Sequence, residues 1–347
     1  MAYTTINKPS EYFNTKLYTG TGATQSITGV GFQPDMVWVK HRNGVAHSPI
    51  QDVVRGATSS ISYIMSGTTD GGLSISDAIT SFDSDGFSLG ADSSSRSNPS
   101  GGSMVSWNWK ANGSGVSNTD GSITSTVSAS TTSGFSVVTY TGTGSNATVG
   151  HGLGAEAKWV VVKRLDTTGG WINGHSALGF TKNLYFTTAG ANTSSAIWNN
   201  TAPTSSVFSL GTDTDVNASG GTYVAYVFAE KKGFSKFGSY TGNGNADGTF
   251  IYTGFKPAFV IHKRTDIAGY SWLIHDNKRP GYNSTNIISE ADLDGAEQSN
   301  YHMDLLSNGF KHRITAGSTN ASGGSYIYMA FAENPLVGTN GVPTTAR

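Results

Sequence analysis

Five landmarks recur three times, in the same order, along this chain of 347 residues. The first is Tyr18-Thr19-Gly20-Thr21-Gly22, which returns as Tyr140-Thr141-Gly142-Thr143-Gly144 and as Tyr240-Thr241-Gly242-Asn243-Gly244. An apolar run ending in lysine follows each time: Met36 to Lys40, Trp159 to Lys163 and Phe259 to Lys263, with Arg42, Arg164 and Arg264 close behind. Next come Gly86-Phe87-Ser88-Leu89-Gly90, Val207-Phe208-Ser209-Leu210-Gly211 and Gly309-Phe310-Lys311. Asn-x-Ser-Gly-Gly then starts at Asn98, Asn217 and Asn320, and an aromatic run closes each copy at Met104–Trp109, Tyr223–Phe228 and Tyr326–Phe331. The spacing is the size of a domain, far above the roughly 20–50 residues of a solenoid repeat. The pattern therefore predicts three tandem homologous domains over 13–113, 134–232 and 233–338. Residues 114–133 read as a Gly/Ser/Thr-rich linker, whereas the second joint, Phe228 to Phe234, has no spacer. This predicts a stiff pair of second and third units with the first more loosely joined. Residues 1–12 have no counterpart before the later copies and read as an N-terminal docking arm, and 339–347 as a C-terminal tail.

The apolar runs are short and rich in Val, Ile, Tyr, Phe and Trp, residues that suit a pleated, half-buried surface. Trp38 and Lys40 alternate with Val37, Val39 and His41, while Tyr223–Phe228 is apolar enough to be buried on both faces. Glycine fills 45 positions, and turn residues punctuate the chain about every 8–12 residues. The best helical stretch, Ile288 to Glu297, is broken by Asp and Gly. The predicted class is all-β: three tandem β-sandwiches, jelly-roll-like or lectin-like, each burying its own aromatic core.

The chemistry is sparse. With 22 basic and 23 acidic residues, the net charge of −1 gives no nucleic-acid footprint. The absence of cysteine excludes disulfides, thiol nucleophiles and Cys-ligated zinc. No apolar run approaches the roughly 20 residues of a membrane span, so no membrane insertion is expected. The first residues carry no apolar signal-peptide core. Asp83 and Asp85 read as a turn, and the eight histidines show no metal-ligand spacing. No catalytic residue, metal or cofactor is expected, and the chain is not predicted to be an enzyme. The candidate ligand contacts are Trp171 and Trp272, at matching points after the lysine runs, as platforms for sugar stacking. Lys163, Arg164, Lys263 and Arg264 join them as contacts for an anionic ligand. The competing readings are core packing for the tryptophans and a solvated sheet edge for the cations.

The motifs YTGTG, GFQPDMVWVKHR, SFDSDGFSLG and NPSGGSMVSWNWKA resemble a repeat domain of structural proteins from marine tailed bacteriophages. The resemblance covers nearly all of residues 11–338 and brings no catalytic residues with it. It implies a virion-surface protein assembled in the host cytoplasm, in contact with other virion proteins and, for a fibre, trimeric. The expected function is a tail-associated fibre or receptor-binding appendage contacting host cell-surface glycan. The alternatives are a capsid decoration protein without a receptor role and a polysaccharide depolymerase.

Overall fold

The Val- and aromatic-rich runs form strands throughout, and a computed structural model describes them over residues 3–58, 62–92, 94–280 and 283–337. The protein is all-β, with several antiparallel sheets. Among the described residues the helices are single turns: Pro9–Glu11, Ser195–Trp198, Thr214–Asn217 and Gly317–Asn320. No helix forms within Ile288–Glu297, where a two-residue strand, Ser289–Glu290, is followed by bends.

Three large sheets share one strand order. The tyrosine strand (Phe13–Thr19, Phe135–Thr141 or Ser235–Thr241) lies at one side of the closing strand (Ser103–Trp109, Thr222–Ala229 or Ser325–Pro335). On its other side lies the lysine strand (Met36–His41, Ala157–Arg164 or Phe255–Arg264), followed by a fourth strand at Ser48–Asp52, Trp171–His175 or Leu273–Asp276. Registers match as well: Tyr18 faces Met104 as Tyr140 faces Tyr223 and Tyr240 faces Tyr326. Each large sheet is accompanied by a small one built around Gly86–Leu89, Val207–Leu210 or Gly309–His312.

Every large sheet is buried on both faces, so alternation along its strands separates two cores rather than core from water. Val37, Val39 and Met104 pack with Ile27, Phe87 and Leu89 of the first small sheet. Equivalent local cores form around Phe208 and Phe310. The opposite faces of all three large sheets meet in one further core that holds Trp107, Trp109, Trp159, Phe228, Phe259 and Phe331. At its centre the last rings of the three closing strands form a triangle. Trp109 lies 6.4 Å from Phe228 and 5.8 Å from Phe331, and Phe228 lies 6.1 Å from Phe331.

This shared core corrects three expectations. Each copy does bury a local core with aromatic residues, but its aromatic interior is not confined to it, because a sheet flanked by a small sheet on one side still has an apolar second face to cover. Nor is the first unit loosely joined, since Phe13 packs 5.0 Å from Phe331 and 5.4 Å from Phe259. Residues 114–133 are not a free linker either. Val116–Asn118 and Ser125–Ser130 add two strands to the second large sheet, where Val127 faces Val138 and is buried. The N-terminal segment lies against the body: Ile6 is in the shared core and the Tyr3 hydroxyl donates to the Gly254 carbonyl at 2.7 Å. The predicted tail 339–347 lies outside the described residues.

The recurrence of YTGxG together with NxSGG has one cause. The hydroxyls of Tyr18, Tyr140 and Tyr240 donate to the carbonyls of Ser97, Val216 and Thr319, each one residue before the repeated asparagine. The side chain of Asn217 accepts from the Thr143 amide at 2.8 Å and donates to Ser145 and Gly211 carbonyls at 2.6 and 2.8 Å. Asn98 and Asn320 make the same set. The loop sits so close that a Cβ on Gly20, Gly142 or Gly242 would lie 2.1, 2.4 or 2.3 Å from a carbonyl oxygen. Substituting Asn217→Ala strands one donor and two acceptors, of which the Gly211 carbonyl is buried, and is expected to cost about 2 kcal/mol. Urea denaturation checks this; an unchanged midpoint would contradict the role.

Candidate functional site

Two of the three lysine-strand ends, at Lys40 and Lys163, are built into the joints between repeats. Lys163 is fully buried, and its ammonium donates to the carbonyl of Gly169 at 2.6 Å and to that of Thr69, in the first repeat, at 3.0 Å. Lys40 donates at 2.7 Å to Leu293 in the third repeat, and Lys263 donates to the Tyr270 carbonyl. Burial pulls all three ammoniums down to about 8. Neither an anionic ligand nor a solvated edge is available to Lys163 and Lys263.

Trp171 and Trp272 are also enclosed, at 2% and 1% exposure, so no sugar can stack on them. The Trp171 indole N–H donates to the Met65 carbonyl of the first repeat at 2.9 Å, and that of Trp272 to the Tyr185 carbonyl of the second at 2.8 Å. Trp272 stacks on Trp159 with centroids 5.6 Å apart. These contacts run in one direction round a closed ring. Buried Asp52 and Arg55 of the first repeat hold the Tyr226 hydroxyl of the second, at 2.8 and 2.9 Å. His175 of the second contacts the Tyr328 carbonyl of the third at 3.2 Å. Asp276 of the third accepts from the Trp107 indole of the first at 3.1 Å, while Arg279 lies over the same ring. Asp52/Arg55 and Asp276/Arg279 are buried ion pairs at 2.6 Å. Their shared Ile-x-Asp-x-x-Arg spacing was the sequence signal for this seam.

Arg164, half-buried, and Arg264, buried, act as clamps at the strand ends. Each binds an aspartate, Asp166 or Asp266, through two nitrogens, with distances of 2.9–3.0 Å. Those aspartates accept from the backbone amides of Thr222 and Ser325. In the first repeat the register position belongs to His41 rather than Arg42, and Asn43 accepts from Ser103. Arg42 instead pairs with Glu297 of the third repeat.

Two other groups are spent on structure. Asp83 accepts from the Ser81 and Ser88 hydroxyls, and Asp85 from the Gly29 and Gly31 amides, as a turn pair should. His262, His275 and His312 cluster between the two sheets of the third repeat, with His262 5.6 and 5.2 Å from the others. Both ring nitrogens of His262 are without a hydrogen-bond partner. Burial holds His262 and His275 well below the usual histidine range, pulls His312 down to about 3, and pulls His175 down to about 4. Among the described residues no group of three or more His, Asp or Glu is placed to hold a metal ion.

Two grooves lie open among the described residues. One, of about 310 Å³, is lined by hydroxyls of the second repeat, including Ser117, Thr126, Thr139 and Thr222. The other, of about 390 Å³, lies where Tyr3 meets the third repeat, between Glu230, Lys232, Lys236 and Tyr252. Tyr252 and its neighbour Phe250 are the two aromatic side chains, among the described residues, that stay exposed. Sequence reasoning passed over both, although they stand where the other repeats carry Ser, Thr or Gly.

A family model described as Domain of unknown function (DUF7483) matches residues 8–335, a single match across all three repeats. No curated protein and no solved structure matches the chain.

The histidines give the protein a directional response to acid. They are neutral in the fold, whereas in the unfolded chain each binds a proton near the ordinary value of about 6.5. The unfolded state therefore holds more protons below pH 6.5, and stability falls as pH drops toward 3–4, by up to about 1.4 kcal/mol per pH unit per histidine. Asp292, raised to about 6 by burial, acts in the opposite sense. Denaturation midpoints measured from pH 7.5 to 4.5 are expected to decline from near 6.5. His262→Leu should have a shallower slope; an identical slope would contradict the assignment.

Proposed function

The chain belongs to the DUF7483 family, a domain of unknown function, and we propose that it is a structural protein of a tailed-bacteriophage virion. Its role is that of a tail-associated fibre or receptor-binding appendage that presents a rigid face to host surface glycan. Each repeat is a β-sandwich module, a large sheet covered by its small one, and the three modules stand in tandem as a single closed body. The observation that carries the reading is where the repeated chemistry goes. The recurring lysines, arginines, tryptophans and asparagines bond carbonyls, amides and carboxylates of the chain itself. A chain that commits its repeated polar groups to internal joints is suited to being a scaffold. The motif resemblance supplies the virion context. A chain free of cysteine fits assembly in a reducing cytoplasm.

On this reading the protein assembles with other virion proteins and, as a fibre component, with two further copies of itself. Particles carrying the chain, labelled with gold-conjugated antibody and imaged by negative stain, are expected to show label at the tail. Label over the capsid would replace this reading with head decoration, and unlabelled particles would overturn both.

A further inference from the structure

The three repeats act as controls for one another: a side chain required by the fold should recur, and one that departs from its two counterparts needs another explanation. The central strand pair of each small sheet offers the comparison. Ile27 faces Phe87, Val149 faces Phe208 and Ile251 faces Phe310, all buried in the local cores. One residue along, side chains point to the opposite, outer face. There the first repeat pairs Ser26 with Ser88 and the second Thr148 with Ser209, whereas the third pairs Phe250 with Lys311. Two residues further, Thr28 and Gly150 are replaced by Tyr252. Phe250 and Tyr252 are 43% and 53% exposed, side by side on one face of a strand. The fold does without these rings twice.

Their surroundings are polar on both flanks. Beyond Phe250, the Lys311 ammonium and the Arg313 guanidinium each lie 2.7 Å from Asp247, and Arg313 also binds Asp304. Beyond Tyr252 opens the groove of about 390 Å³, in the range of about 300–1,000 Å³ typical of small-molecule clefts. Its wall carries Glu230 paired with Lys236 at 2.7 Å, and Lys232 with its ammonium 4.7 Å over the Tyr3 ring.

We infer that Phe250, Tyr252 and the adjoining Tyr3 groove form a saccharide-binding platform. This deepens, and rests on, the glycan-contact reading above, and moves the contact from the enclosed tryptophans to the outer face of the third repeat. The chemistry selects a sugar. Exposed rings accept the C–H face of a pyranose, while carboxylates and ammoniums on either side accept from and donate to its hydroxyls. Acids and bases are interleaved, which suits a hydroxyl-rich ligand better than a phosphate backbone. Two rings are also few for a stable protein interface of about 20–30 residues a side.

The test uses the full chain and a double variant, Phe250→Ser with Tyr252→Thr, which installs the residue types of the first repeat and leaves the buried face untouched. Both proteins are applied to an immobilised panel of hexose and N-acetylhexosamine oligosaccharides, with melting temperature and sedimentation measured in parallel. The full chain is expected to bind at least one sugar, and the variant to bind it at least tenfold more weakly with melting and sedimentation unchanged. Equal binding by the variant would overturn the platform but leave glycan contact standing elsewhere on the chain. No binding by the full chain would overturn both. A drop in oligomer size in the variant would reassign the rings to contact between copies.

Discussion

The triangle of Trp109, Phe228 and Phe331 is the constraint from which the rest of the structure follows. Each ring is the last aromatic side chain of a closing strand, and each closing strand is the hub of a large sheet whose other face is already covered by its own small sheet. An apolar second face cannot stay in water, and aromatic side chains bury the largest areas of any residues. The three second faces cover one another. Aromatic pairs of this kind add about 0.5–1.5 kcal/mol each beyond the area they bury.

Meeting around a triangle brings polar groups into contact as well, and the ring of directional bonds answers that demand. A lysine or indole N–H removed from water needs an acceptor, and the neighbouring repeat supplies it for Lys40, Lys163, Trp171 and Trp272. The arrangement is head-to-tail and closes after three, the intramolecular form of a cyclic assembly. Strict copying is not required of it. Asp276 and Asp52 are matched in the second repeat by His175, which makes one bond to a backbone carbonyl where the ion pairs make several. Departures of this sort at buried positions are absorbed by the seam. Departures at exposed positions, such as Phe250 and Tyr252, change what the molecule offers to its surroundings.

Much of the local structure was legible from the residues. The recurrence of Tyr, Gly and Asn at fixed spacing located the strands and the tight loop, because backbone approach and hydrogen bonding there admit few alternatives. The aromatic density of Tyr223–Phe228 announced burial on both sides. What the pattern hid was the partner of the second face: alternation of Trp38 and Lys40 with Val37 and Val39 has the same appearance whether the far side meets water or another sheet. The tryptophans drew attention as ligand platforms for the same reason, since an indole suits a sugar or a core equally. Ser125-Thr126-Val127-Ser128 resembles a linker by composition, yet β-branched residues beside a free sheet edge are enough to extend it. The exposed aromatic pair was readable only by aligning the small-sheet strands of all three repeats, which requires their register.

The most direct test of this account is calorimetry of the intact chain at neutral pH. A body closed around one aromatic triangle is expected to unfold in a single transition, with the calorimetric enthalpy equal to the van't Hoff enthalpy. Two or three resolved transitions, each with the enthalpy of about one repeat, would show that the modules stand alone and would contradict it.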